Sequence, residues 1–116
     1  MVLSGKTDSE ILAVATPIMD NLMDASTAID RERHVRDFTD RAKAQITAER
    51  LKQICDTYQR EKGFFGGREL LAILRRPHSV VLVWKQRFTK APGDYLAEMI
   101  LVEKDGRPLV DHVMVL

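Results

Sequence analysis

The feature that most constrains this chain is a change of period near Gly63. Upstream, apolar residues recur three and four apart, the period of a helix with one buried face. Downstream, β-branched and aromatic residues dominate, and Pro and Gly supply the punctuation. A run of helices followed by a run of strands folds as an α+β unit, with N-terminal helices packed on an antiparallel sheet of four strands. The length of 116 residues fits one domain, 1–116, and is too short for two ordinary ones.

The helical half divides into three predicted segments. Thr7-Asp8-Ser9-Glu10 has capping-box spacing, so a helix is expected to start after Thr7. Ile11, Leu12, Val14, Ala15, Ile18, Met19, Leu22 and Met23 give it a broad apolar stripe. Pro17 lies inside that stripe, and a kink or break is expected there. A second, short helix is expected over Ala28 to Phe38, capped by Thr27 or Ser26. It is mostly charge, with Ile29, Val35 and Phe38 as anchors. The third is expected from Thr47 as cap to about Glu61. Leu51, Ile54, Cys55 and Tyr58 share a face, and Gly63 is the stop.

Four strands are expected at Glu69–Arg75, Ser79–Phe88, Tyr95–Glu103 and Leu109–Leu116. Gly63, Gly66 and Gly67 around Phe64-Phe65 read as the exit from the helix into the sheet. Asp105-Gly106 is a hairpin signal, and the short connections favour a meander. Side chains alternate across a strand. One face then holds Val80, Leu82, Trp84, Gln86 and Phe88, with Tyr95, Ala97, Met99 and Leu101, and with Val110, His112, Met114 and Leu116. This face is assigned to the helices, with Trp84 buried between the layers. The other gathers Val81, Val83, Leu96, Ile100, Val113 and Val115 with Lys85, Arg87, Glu98 and Asp111. An apolar face with a few complementary charges reads as the interface of a homodimer. The plainer alternative is a sheet that tolerates exposed β-branched residues.

Composition narrows the function classes. The 18 basic and 17 acidic residues leave a net charge of +1, which gives no electrostatic footprint for nucleic acid. Arg31, Arg33, Arg36, Arg41 and Lys43 are interleaved with Asp30, Glu32, Asp37 and Asp40, the pattern of a solvated helix laced with ion pairs. Cys55 is the single cysteine, so no intrachain disulfide is possible. Met1 to Glu10 holds no apolar stretch of signal-peptide length, and no run approaches a membrane span. A cytoplasmic location without membrane partners is the expectation.

Helices come first, followed by a four-strand meander. The run Asp37-Phe38-Thr39, Lys43 and Ile46-Thr47 lie in the first half. Trp84-Lys85-Gln86-Arg87-Phe88, Pro92-Gly93 and the Asp105-Gly106 hairpin lie in the second. From about Ser9 to Leu116 this order resembles the small bacterial and archaeal members of the nuclear transport factor 2-like, or cystatin-like, superfamily, many of them domains of unknown function. The resemblance implies a curved sheet wrapped around helices as a cone with a pocket at its open end. It also implies frequent homodimers through the outer sheet face. Ketosteroid isomerase and scytalone dehydratase look similar in fold, but none of their catalytic residues maps onto this chain, and fold does not carry chemistry.

The candidate pocket-lining residues are Phe38, Tyr58, Trp84, Phe88, Tyr95 and His112; aromatics at such spacing are also what an ordinary core contains. His34, His78 and His112 lack a partner at helical metal-site spacing, so neither metal nor cofactor is expected. His112 facing a pocket would serve as a general base; otherwise it is a hydrogen-bonded core histidine. Glu98 and Asp111 are the carboxylates of the right type for an acid–base site. Their position on the outer face favours cross-strand pairing with Lys85 or Arg87. The leading expectation is a noncatalytic homodimeric domain that binds a small apolar ligand or a protein partner. The alternative is a small cone-fold isomerase or dehydratase using a pocket His or carboxylate.

Overall fold

The computed structural model describes residues 2–116, so Met1 and its part in the N-terminal reading fall outside the described residues. One 3-10 turn, Leu3–Gly5, precedes α1 (Asp8–Ala28), α2 (Arg31–His34), α3 (Asp40–Ala44) and α4 (Ala48–Lys62). The strands follow as β1 (Phe65–Arg75), β2 (Val80–Phe88), β3 (Tyr95–Lys104) and β4 (Arg107–Val115). They form one curved, open, antiparallel sheet in the order β1-β2-β3-β4.

The helix starts follow their caps. Thr7 Oγ1 accepts from the Glu10 amide at 3.1 Å while the Glu10 carboxylate accepts from the Thr7 amide at 2.9 Å, a complete capping box. Thr47 Oγ1 caps α4 by accepting from the Arg50 amide, and Gly63 ends it at φ +83°, where a Cβ would lie 2.4 Å from Thr89 Oγ1. Two expectations in this half are corrected. First, α1 runs unbroken through Pro17. Pro17 and Ala13, whose carbonyl loses its partner, both face solvent, so water can satisfy the freed group. Second, no helix spans residues 28–38. α1 continues past Ser26 and Thr27 to Ala28 and stops at Ile29, which takes a left-handed conformation at φ 54°. Asp30 then caps the four-residue α2, and Thr39 caps α3, which the sequence reading lacked. Side-chain hydroxyls and carboxylates offered at close spacing divide this stretch into short turns.

The core lies between α1 and the concave sheet face. Ile11, Ala15 and Met19 meet Val80, Leu82, Ala97, Met99, Leu101 and Val110, all fully buried, with Trp84 at 2% exposure as assigned. Three bulges shape the sheet. Gly66 and Gly67 together oppose Arg87, so β1 begins at Phe65 rather than at Glu69, and the glycines belong to the strand. Buried Gln86 donates from Nε2 to the carbonyls of Gly66, Gly67 and Arg87 at 3.1, 3.3 and 2.8 Å, which satisfies groups the bulge takes out of the ladder. A second bulge between Leu70 and Ala72 leaves Leu71 as the extra residue.

The third bulge changes the face assignment. Leu101 pairs with Val110 but Ile100 pairs with His112, so Asp111 is an extra residue in β4. Beyond it the alternation inverts. Val113 and Val115 turn inward and pack against the core, while His112 and Met114 share the outer face with Glu98 and Ile100. The expected inward His112 and outward Val113 and Val115 are corrected by this one insertion.

Candidate functional site

The loop 37–39 docks on β4 as a short parallel bridge. Thr39 N donates to Val110 O at 2.9 Å, and Val110 N donates to Asp37 O at 2.7 Å. The bulge residue Asp111 completes the latch: its carboxylate accepts from Thr39 Oγ1 at 2.9 Å and lies 2.9 Å from Arg41 Nη2. The Arg41 hydrogen bond holds the Asp111 carboxyl below the usual range. This latch covers part of an otherwise open strand edge and ties the start of α3 to β4.

Beside the latch lies a cavity of about 410 Å³, lined from the end of α1, α2 to α4 and the far ends of the strands. Its aromatic wall is continuous. Ring centroids lie 4.9 Å apart for Tyr58–Phe65, 5.3 Å for Phe65–Phe88 and 5.1 Å for Phe88–Tyr95, the last pair edge-to-face. Leu51 and Ile54 of α4 and Val113 and Val115 of β4 complete the apolar lining. Ile54 remains 43% exposed, which is unusual for a residue on the inward face of an amphipathic helix.

Two polar clusters lie at its α1 and α2 side. The Tyr58 hydroxyl shares a hydrogen bond with Ser26 Oγ at 2.9 Å and accepts one from Gln59 Nε2 at 3.4 Å; Ser26 also contacts Cys55 Sγ at 3.3 Å. Burial pushes the Tyr58 phenol up from its ordinary value. His34 is only 9% exposed, and its Nδ1 has no hydrogen-bond partner. Its ring meets Phe38 edge-on at 5.4 Å. Burial, with a smaller contribution from the Arg31 charge, lowers its pKa to about 4, so the imidazole is neutral at pH 7. Among the described residues no cluster of His, Cys, Asp and Glu could hold a metal ion.

Of the predicted pocket residues, Phe38, Tyr58, Phe88, Tyr95 and His112 line this cavity. Trp84 does not: it is core, with the Arg68 guanidinium 5.5 Å from its ring centroid. His112 contributes to the lining, but its imidazole turns to the outer face, where Nε2 lies 2.9 Å from Glu98 Oε1. His34 was missed. In a run of alternating charges an imidazole reads as solvated, and no spacing signal marks it as the inward residue of a four-residue helix. The outer-face candidates Val81, Val83, Lys85, Arg87, Leu96, Glu98 and Ile100 do share the convex face. The expected charge pairing differs: Lys85 meets Glu69 at 3.2 Å, Arg87 meets Asp94 at 3.3 Å, Glu98 meets His112, and Asp111 meets Arg41.

No protein-family model and no curated protein matches the sequence. Solved structures do match the fold. A designed nuclear transport factor 2-like protein superposes with a TM-score of 0.60 at 11% identity, over 87% of this chain and 95% of that one. A SEC-C motif containing protein from Rhodopseudomonas palustris gives 0.57 at 12% identity, over 89% of each chain. A protein from Sinorhizobium meliloti described as a candidate polyketide cyclase gives 0.50 at 12% identity, over 86% of this chain and 94% of that one. The chain has the nuclear transport factor 2-like fold, an α+β cone of helices on a curved antiparallel sheet. Identities this low speak to the fold alone.

Proposed function

We propose that the chain binds a small, largely apolar ligand in the cavity between α4 and the β3–β4 end of the sheet. One observation carries this reading: an aromatic-walled space of about 410 Å³ holds a single buried, unpartnered imidazole, His34. Ligand sites are mostly apolar concavities of this size range, with a few placed polar groups that fix orientation. N-phenyl-1-naphthylamine, an uncharged aryl probe that fluoresces in apolar surroundings, tests it. One probe should bind per chain, and Val113→Trp, which fills the space, should abolish binding. Fluorescence unaffected by Val113→Trp would place the probe elsewhere and end the proposal.

Catalysis is the second reading, and His34 is the residue that favours it, in place of His112 or Glu98. An imidazole with its pKa near 4 is a weak base at neutral pH, since general bases work best with a pKa near the working pH. Binding therefore leads. Turnover of a cyclic substrate by wild type, lost in His34→Gln with the fold retained, would reverse the order.

The convex face supports a homodimer as part of the same proposal. Leu74 and Met114, at 51% and 45% exposure, join Val83, Leu96 and Ile100 on one surface. Such a patch on a twofold axis can meet itself. Ile100→Asp would bury a carboxylate in each copy, which costs several kcal/mol. Light scattering should report a dimer that this change splits; a monomeric wild type contradicts the dimer and leaves the cavity proposal standing.

A further inference from the structure

The charged side chains around the cavity lean basic. Lys62 and Arg50 line it, and the only carboxylate side chain among its described lining residues, Asp111, is already engaged by Arg41 and Thr39. Lys62 is half-buried in the last turn of α4, where the helix end favours a cation. Its Nζ lies 5.8 Å from the Phe88 ring centroid and 5.5 Å from that of Tyr95. No carboxylate of the described residues forms an ion pair with it. An ammonium against two rings has lost part of its hydration and still lacks a counterion. A cationic ligand would be repelled there, and a neutral one would desolvate Lys62 further without compensation.

Resting on the reading of the cavity as a ligand site, we propose that it selects aryl monocarboxylates, with the ring on the Phe65–Phe88–Tyr95 wall and the carboxylate at Lys62. A flat ring suits this wall because three side-chain rings lie 5.1 to 5.3 Å apart in succession, spacing at which a further aromatic adds offset or edge contacts. The carboxylate then meets a partly desolvated ammonium, where a charge-assisted hydrogen bond is stronger than in water. Neutral His34, also in the lining, adds no positive charge.

Calorimetric titration with 1-naphthylacetate and 1-naphthylacetamide tests this, because the two share a shape and differ in charge. The carboxylate should bind wild type at least about tenfold more tightly than the amide. Lys62→Met should bring the carboxylate down to the amide's affinity, and Lys62→Arg should retain the preference. Equal binding of both probes to wild type overturns the anion selectivity and leaves the cavity reading standing. A carboxylate preference that survives in folded Lys62→Met overturns the role of Lys62. Failure of both probes to bind, where N-phenyl-1-naphthylamine does bind, also ends this proposal; failure of all three ends the cavity reading itself.

Discussion

The concave sheet face has two ends built from similar side chains in different states. At the α1 end, Leu82, Trp84, Met99 and Leu101 are packed to 2% exposure or less against Ile11, Ala15 and Met19. At the α4 end, Phe65, Phe88, Tyr95, Val113 and Val115 remain half-buried around open space, with Ile54 opposite and largely uncovered. Apolar surface left half wet forfeits the stabilisation that close packing would give. The first end is a folding core; the second borders the open cavity in which the proposed ligand would sit. Phe38, in the 37–39 latch on the β4 bulge, belongs to both, packed in the core cluster and lining the cavity.

Substitutions should report this contrast. Trp84→Ala should be the most damaging, at about 3–5 kcal/mol by chemical denaturation, because it empties a closed core. A loss below about 1 kcal/mol would mean that the two ends do not differ as described. His34 should give the next largest effect, through pH. Its folded pKa of about 4 lies below the ordinary 6.5, so between these values the unfolded chain takes up a proton that the folded one refuses. Stability is therefore complete above pH 6.5 and falls as the pH drops toward 4, by up to about 3 kcal/mol. His34→Phe should flatten that part of the profile relative to wild type; parallel profiles would show that the imidazole is not buried as described.

Phe88→Ala should cost less than Trp84→Ala, about 1–2 kcal/mol, since the ring is only partly buried, yet it should abolish probe binding. If it costs as much as Trp84→Ala, the cavity end is ordinary core. Arg41→Ala removes an exposed pair with Asp111 and should cost under about 1 kcal/mol. A larger loss, with altered probe binding, would show that the latch sets the width of the cavity more strongly than its exposure suggests.

How far the sequence carried depended on range. Thr7, Thr47 and Gly63 act within one turn of the chain, so the boundaries they set were readable. The face carrying Leu82, Trp84 and Met99 followed from simple alternation. Asp111 did not: a bulge is a relation between two strands, and nothing within Leu109 to Leu116 announces that Ile100 will skip it. That one residue exchanged His112 for Val113 on the cavity side and moved the sequence's favoured base onto the convex face. His34 was hidden for a similar reason, since its burial comes from Phe38 and the surrounding fold rather than from its charged neighbours.

Mapping N-phenyl-1-naphthylamine by NMR tests the central claim most directly. On titration, the methyl signals of Val113 and Val115 and the ring signals of Tyr58 and Phe88 should shift and saturate together, while those of Val83, Trp84 and Ile100 stay in place. Shifts at Val83 and Ile100 with Val113 unmoved would put the binding surface on the convex face and contradict the account.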